Sequence, residues 1–238
     1  MPKIIHLTPK PDEYLTAEYL SETLEDILES PWALKINFDP QNKYSLLTFG
    51  MLFSVMHYSK SMTGEYFKPR IEISLIGDKE ILKQNNLCNV LLDLAESAIV
   101  SPTKYTMQEN SAYMISSVRG ASEEAKTLLI AERDKLVNDG LYKKIHLPIV
   151  DTFQKNPRKI FVCLDNLCAM ANAQHILMRY DPQSMGSIMD TGMEFALMKH
   201  FDDKKEQKVA RYFKILNRQV MDFSQPYSRF LNSMVLFH

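Results

Sequence analysis

The residues of this sequence best suited to binding chemistry are the cations between Asp203 and Phe223, in the stretch DKKEQKVARYFKILNRQVMDF. At about 100° per residue, five cations fall within an arc of roughly 120° around a helix, and apolar side chains occupy a separate arc. The cationic arc consists of Lys204, Lys208, Arg211, Lys214 and Arg218. The pattern predicts a helix over residues 204–222 with an apolar face for the core and a cationic face for a partner.

A face of this kind is typical of polyanion binding, because Lys and Arg neutralise the phosphates of a nucleic acid. Tyr212 lies at the edge of the arc, where its ring could stack on a base. Two further basic clusters precede the helix: Lys143 with Lys144, and Lys155 with Arg158 and Lys159. We therefore predict that these residues bind RNA or DNA, while an acidic partner protein on the same face remains an open alternative.

The charge distribution and composition favour a binding protein over an enzyme. The net charge is −1, yet residues 1–140 carry an excess of acids and residues 141–238 an excess of bases. This asymmetry fits head-to-tail self-association, or a polyanion site confined to the basic part. Only 7 glycines occur in 238 residues, which is few for a protein that cradles phosphates in strained loops. We expect a non-enzymatic, nucleoprotein-like assembly protein.

No residue pattern points to a metal, a cofactor or a catalytic group. The phosphate-binding, dinucleotide-binding and metalloprotease motifs are missing. Cys88 falls mid-helix on an apolar face, which is typical of a structural cysteine. Cys163, Cys168 and His175 share one predicted helix but not one face, so they cannot all bind one zinc ion. A cysteine-dependent enzyme assembled from distant residues remains the other alternative.

The triplet Asp190-Thr191-Gly192 resembles the active-site triplet of pepsin-like aspartic proteases. That family places the triplet on a loop of a mostly β fold, beside further glycine motifs. Here the triplet opens a predicted helix in a glycine-poor chain, so we interpret it as a coincidence.

The cysteine count and the N-terminal sequence predict a cytoplasmic protein. An odd number of three cysteines does not form a disulfide framework, which favours a reducing compartment. The first residues lack the apolar core of a secretory signal, and no apolar run reaches the length of a membrane helix.

Hydrophobic periodicity predicts a mainly α fold of about eight to ten helices, with a small β element near residues 33–76. Helices are expected at about 11–30, 44–58, 79–99, 104–118, 122–138, 141–154, 159–180, 187–201 and 204–222, with a last one from Pro226. Strands are expected at 34–38 and 70–76. An acidic mixed region, 1–100, would precede a basic helical region, 101–238, as two lobes or as one continuous domain.

Overall fold

The protein is an α/β structure built on two parallel β-sheets, and the prediction of a mainly α fold is wrong. The computed structural model describes residues 4–29, 33–58, 70–77, 82, 85, 87–90, 107–118, 121–156, 159–202 and 211–236. The statements that follow concern these residues.

The first sheet has three parallel strands in the order β1-β2-β3. The strands are β1 (Ile4–Leu7), β2 (Ala33–Phe38) and β3 (Arg70–Leu75). Helix α1 (Ala17–Glu29) follows β1 after a short 3-10 helix at Asp12–Tyr14, and α2 (Lys43–Tyr58) follows β2. The β element predicted near residues 33–76 is therefore present, but it is part of a larger sheet.

The second sheet has four parallel strands in the order β5-β4-β6-β7. They are β4 (Gln108–Ile115), β5 (Lys144–His146), β6 (Ala173–Met178) and β7 (Tyr212–Ile215). The connecting helices are α3 (Glu123–Asn138), α4 (Pro148–Asp151), α5 (Lys159–Asn172) and α6 (Met185–Asp202). A 3-10 helix, Arg218–Val220, and α7 (Pro226–Leu236) complete the described chain.

The two faces of the second sheet pack against different helices. On one face, Ala112, Met114 and Leu177 pack in a small cluster with Leu129 of α3. On the other face, alternate residues such as Tyr113 join the larger core with α2, α5 and α6. Helix α2 packs along α6, so these two helices form a layer between the sheets.

One hydrophobic core includes residues from Leu7 to Met234, so the regions 1–100 and 101–238 share it. The C-terminal helix α7 contributes Tyr227, Phe230, Leu231 and Met234 to this core. Helix α7 therefore docks on its own chain. None of the helices described above has the length and hydropathy required to cross a membrane.

The helices predicted at 104–118 and 204–222 are wrong where the chain is described, whereas those predicted at 141–154 and 159–180 are only partly right, since helices α4 and α5 cover 148–151 and 159–172. Strands β4, β5, β6 and β7 occupy parts of these ranges. Parallel strands that are covered on both faces show continuous apolar runs rather than alternation, so their periodicity resembles that of a buried helix. The helices predicted at 11–30, 44–58, 122–138, 187–201 and from Pro226 are confirmed within a few residues. Most of the predicted helix at 79–99 lies outside the described residues.

Candidate ligand-binding site

The candidate site lies where the order of the second sheet reverses. The chain passes from β4 outward to β5 and then returns to β6 on the other side of β4. In parallel α/β sheets, the crevice beyond the carboxyl ends of two such strands is the usual place for a ligand. A cavity of about 630 Å³ occupies this position, lined by Ser116, Ser117 and Val118 after β4 and by Arg179, Tyr180 and Asp181 after β6. Its volume suits a nucleotide-sized molecule.

The amino terminus of α6 opens onto the cavity. Ser184, Met185 and Gly186 line the wall at this end, and the first turn of α6 carries no acidic residue. A side-chain carbon added at Gly186 would meet nothing within 4 Å, so the backbone there is approachable. Backbone N–H groups and the helix dipole make such a terminus suited to an anion.

The amino terminus of α3 also borders the cavity, but it is already neutralised. Both helices begin with a serine cap: the Ser122 hydroxyl accepts from the Ala125 N–H at 3.1 Å, and the Ser184 hydroxyl accepts from the Ser187 N–H at 3.3 Å. The difference is that Glu123 and Glu124 occupy the first turn of α3. Because these acids satisfy the positive end of the dipole, we assign the anion position to α6.

Ser116 supplies an unpaired polar atom to the cavity wall. It is 5% exposed, and its hydroxyl oxygen has no hydrogen-bond partner. A buried hydroxyl without a partner costs free energy, so proteins rarely retain one without a use. Ser116 is therefore positioned for a ligand that would complete its hydrogen bonding.

Asp190 gives the cavity a buried carboxylate of fixed orientation. The Tyr113 hydroxyl donates a hydrogen bond to Asp190 Oδ2 at 2.9 Å, and Asp190 lines the cavity. Burial, and then the charge of Asp190, raise the pKa of Tyr113 well above its ordinary value. The phenol therefore stays protonated and acts as a donor, while Asp190 can accept hydrogen bonds or a proton from a bound molecule.

The remaining wall combines apolar side chains with amides. Val162, Leu128 and Met189 contribute apolar surface, and Gln154 and Asn166 contribute amide groups. This combination is typical of pockets for flat heterocyclic molecules, because apolar surface covers the ring faces and polar groups read the ring edge.

A second layer of hydrogen bonds fixes the loop after β6. The side chain of Asn217 accepts from the Tyr180 backbone N–H at 2.7 Å and donates to the Tyr180 carbonyl at 3.1 Å. The Tyr180 hydroxyl also shares a 2.9 Å hydrogen bond with Ser228 of α7. The cavity wall is thus held from behind by the C-terminal part of the chain.

Comparisons of the chain with protein-family models, curated proteins and solved structures give no match. The geometry of the site is therefore the basis on which its function is inferred.

The predicted cationic helix is not present where the chain is described. Lys204, Lys208 and Arg158 lie outside the described residues. Arg211 is 5% exposed and forms an ion pair with Glu194 of α6, so its guanidinium does not reach a surface ligand. The segment after Arg211 is the strand β7, in which Tyr212 and Lys214 alternate with the buried Phe213 and Ile215.

The other predicted cations lie apart from the cavity wall. Lys143, Lys144 and Lys155 are exposed, and the Lys159 ammonium donates to the Gln154 carbonyl at 3.1 Å. Arg218 lies over the Phe223 ring, 5.7 Å from its centroid. Of the predicted residues that the structure describes, none is among those that line the cavity.

Three rings form a row on the α3 side of the second sheet. His175 of β6 stacks on Tyr212 of β7, with centroids 5.0 Å apart. Tyr142 contacts His175 in a T-shaped arrangement, with 5.1 Å between the ring centroids. Lys214 is exposed on β7 and its charge acts on His175, whose pKa is lowered first by burial and then by Lys214.

The cysteines and the metal-ligand types give no second site. Cys88 is buried, and burial raises the pKa of its thiol. Cys163 is buried on the cavity wall, and Cys168 is partly buried. Within the described ranges, no cluster of three His, Cys, Asp or Glu side chains could hold a metal ion.

The sequence reasoning missed Ser116, Asn166 and Asp190. The sequence analysis considers Asp190 only as part of a protease-like triplet. In the structure this triplet lies within the helix α6. Ser116 follows a strand that was interpreted as a helix. A polar residue directly after a buried parallel strand would have been the useful signal, and it required β4 and β6 to be recognised as strands.

Proposed function

We propose that the protein binds a nucleotide-class small molecule in the cavity beyond β4 and β6. The observation that carries this proposal is the unpaired, buried hydroxyl of Ser116 in a cavity at the reversal point of a parallel sheet. The two features are independent. The first leaves a hydrogen-bonding group that a polar ligand atom would satisfy, and the second is the position at which doubly wound α/β folds bind nucleotides.

Different parts of the cavity wall suit different chemical groups of such a ligand. The amino terminus of α6, at Ser184–Gly186, suits a phosphate. The carboxylate of Asp190 suits the hydroxyl groups of a sugar, and it would also be the group to accept a proton if the ligand reacts. The apolar side chains and the amides of Gln154 and Asn166 suit a base.

The first prediction concerns Ser116→Ala. The unliganded variant should be more stable than the wild type by about 1 kcal/mol, because an unpaired buried hydroxyl is removed. Its affinity for a nucleoside monophosphate should fall about fivefold to tenfold, because a hydrogen bond to the ligand is lost. Urea denaturation and calorimetric titration with AMP, CMP, IMP and UMP measure the two effects.

Ser45→Ala is the matched control for this prediction. Ser45 is also buried, and its hydroxyl also lacks a partner, but it lies in α2 away from the cavity. Its removal should raise stability and leave nucleotide affinity unchanged. Failure of all four nucleotides to bind the wild type would contradict the proposal, as would equal effects of the two variants on affinity.

A second candidate function is the binding of single-stranded RNA or DNA by the row of rings on the second sheet. The observation that favours it is the stacked pair of Tyr212 and His175, with Tyr142 edge-on to His175 and Lys214 nearby, and with Tyr212 44% exposed. Aromatic rings on an open sheet face can stack on bases, while a nearby lysine contacts the phosphate backbone.

The second prediction tests this candidate. The double variant Tyr212→Ala with Lys214→Glu should weaken binding of a fluorescent single-stranded RNA by at least about tenfold, through loss of one stacking contact and one cation. Lys35→Glu in the first sheet is the charge control, because Lys35 forms an exposed ion pair with Glu72. Affinity is measured at several salt concentrations. Wild-type protein that binds no RNA at low salt would contradict this candidate and leave an acidic protein partner as the alternative.

A further inference from the structure

A hydrogen-bond chain runs from β5 to the cavity wall. His146, at the end of β5, contacts Thr152 through its Nε2 atom, with 3.0 Å between Nε2 and Oγ1. The Thr152 hydroxyl in turn donates to Asn166 Oδ1 at 2.9 Å. Thr152 is buried, and Asn166 lines the cavity.

The direction of this chain follows from the orientation of the Asn166 amide, whose oxygen Oδ1 faces Thr152. A threonine hydroxyl has one hydrogen, and in Thr152 it is used towards Asn166. Thr152 can therefore only accept from His146, so the Nε2 atom of His146 carries a hydrogen. With Oδ1 of Asn166 engaged by Thr152, the amide group left for the cavity is the NH2 donor.

The ring of His146 is itself held in place. It stacks on Tyr113 with centroids 5.5 Å apart and an angle of 11° between the rings. Tyr113 is fully buried and bonded to Asp190. The orientation of the Asn166 amide is thus coupled to a rigid part of the sheet rather than to a surface loop.

We infer that Asn166 is a specificity-determining residue that donates a hydrogen bond to the exocyclic oxygen on the edge of the base, so that the cavity prefers oxo bases to amino bases. Thr152 and His146 are its positioning residues. This inference rests on the proposed function, and it adds the class of base: uracil-like or hypoxanthine-like rather than cytosine-like or adenine-like.

UMP and CMP form one test pair and IMP and AMP the other, because each pair differs at an oxo or amino position of the base edge. Wild-type protein should bind the oxo member of a pair about tenfold more tightly, the size expected of one hydrogen bond and one unpaired donor. Asn166→Asp presents acceptors instead of donors and should abolish or reverse the preference. Thr152→Val frees the Asn166 amide to rotate and should reduce the preference to about twofold or less.

Thr127→Val is the control for Thr152→Val, because the Thr127 hydroxyl bonds the Glu123 carbonyl on the exposed side of α3. The control should keep the wild-type preference, measured by calorimetric titration. Nucleotide binding with no preference, or with a preference for amino bases, would overturn this inference. An unchanged preference in Asn166→Asp would overturn it as well. Each of these outcomes would leave the proposed function standing. Absence of binding by all four nucleotides would overturn both.

Discussion

Replacement of Gly192 by alanine should destabilise the protein by about 3 kcal/mol or more, because two helix backbones meet at this glycine. A Cβ atom at Gly192 would lie 2.1 Å from the carbonyl oxygen of Leu47 and 2.9 Å from its Cα. Gly50 shows the same closeness from the other side, 2.1 Å from the Met189 carbonyl oxygen. The obstacle is backbone in both cases, so a side-chain rotation cannot relieve it and α2 and α6 would have to separate.

Gly186→Ala is the matched control for Gly192→Ala. Both glycines lie in α6, but a Cβ at Gly186 meets nothing within 4 Å. The control should be neutral or stabilised by up to about 1 kcal/mol, because alanine favours a helix. Denaturant unfolding followed by circular dichroism compares the two variants with the wild type. A Gly192→Ala protein with wild-type stability would mean that the helices do not approach as closely as described.

The Gly50–Gly192 contact also connects the fold to the candidate site. Met189 and Asp190, which line the cavity, lie three and two positions before Gly192 in α6. A shift of α6 away from α2 would move the carboxylate of Asp190 relative to Tyr113 on β4. We therefore expect Gly192→Ala to weaken ligand binding even under conditions in which the variant remains folded.

The sequence was informative where an element is amphipathic. Helix α1 buries Leu20, Leu24 and Ile27 and exposes Glu22 and Glu25, and its bounds were predicted within a few residues. In the second sheet the periodicity fails because β4 is covered on both faces, while β5 and β7 have only 3 and 4 residues. Residues 112–115 of β4 are all buried, so alternation is lost.

The junction between α5 and β6 explains why the helix predicted at 159–180 was too long. Helix α5 ends at Asn172 and β6 begins at Ala173, without a glycine or proline between them. Sequence patterns detect breaks through such turn residues, so the pattern continued as one helix to Tyr180. At this junction Arg211, almost forty positions later in the chain, donates hydrogen bonds to the carbonyls of Met170 and Ala173. A contact of this kind leaves no local sequence pattern.

The candidate site was invisible to motif reasoning for a related reason. Its groups come from β4, α5 and α6, and no two of Ser116, Asn166 and Asp190 are close enough in sequence to form a motif. The prediction of a cationic face was wrong for the opposite reason. The cations are regularly spaced in sequence, but the segment that carries Arg211 and Tyr212 is not helical. Spacing predicts a shared surface only when the type of element is right.

Replacement of Arg211 should unfold the protein or destabilise it by about 3–5 kcal/mol, as expected when one partner of a buried ion pair is removed. Arg211 donates to Glu194 from Nε at 2.7 Å and also from Nη2. It also donates to the carbonyls of Met170 and Ala173 at 2.9 and 2.8 Å. Burial raises the pKa of Glu194, and the guanidinium of Arg211 acts against this rise.

The carbonyl contacts give Arg211 a second role at the end of α5. The last carbonyls of a helix have no partner within the helix, and here Arg211 supplies the donors in place of a turn. Arg211→Lys should therefore be strongly destabilising as well, because an ammonium cannot match the carboxylate fork and two carbonyls at once. Lys214→Met, on the exposed side of the same strand, should change stability by less than about 0.5 kcal/mol.

The same measurement separates a buried Arg211 from the surface cation that the sequence suggested. If Arg211 were a surface cation, Arg211→Lys would leave the stability of the protein unchanged and could affect only ligand binding. If Arg211→Lys unfolds at the same urea concentration as Lys214→Met, the description of Arg211 as a buried ion-pair partner of Glu194 is wrong. If Arg211→Lys is destabilised as expected, then Glu194→Gln should be too, since it leaves the guanidinium buried without a counter-charge. Charge reversals in this segment should therefore spare Arg211 when nucleic-acid binding is tested, because a variant at this position reports on folding.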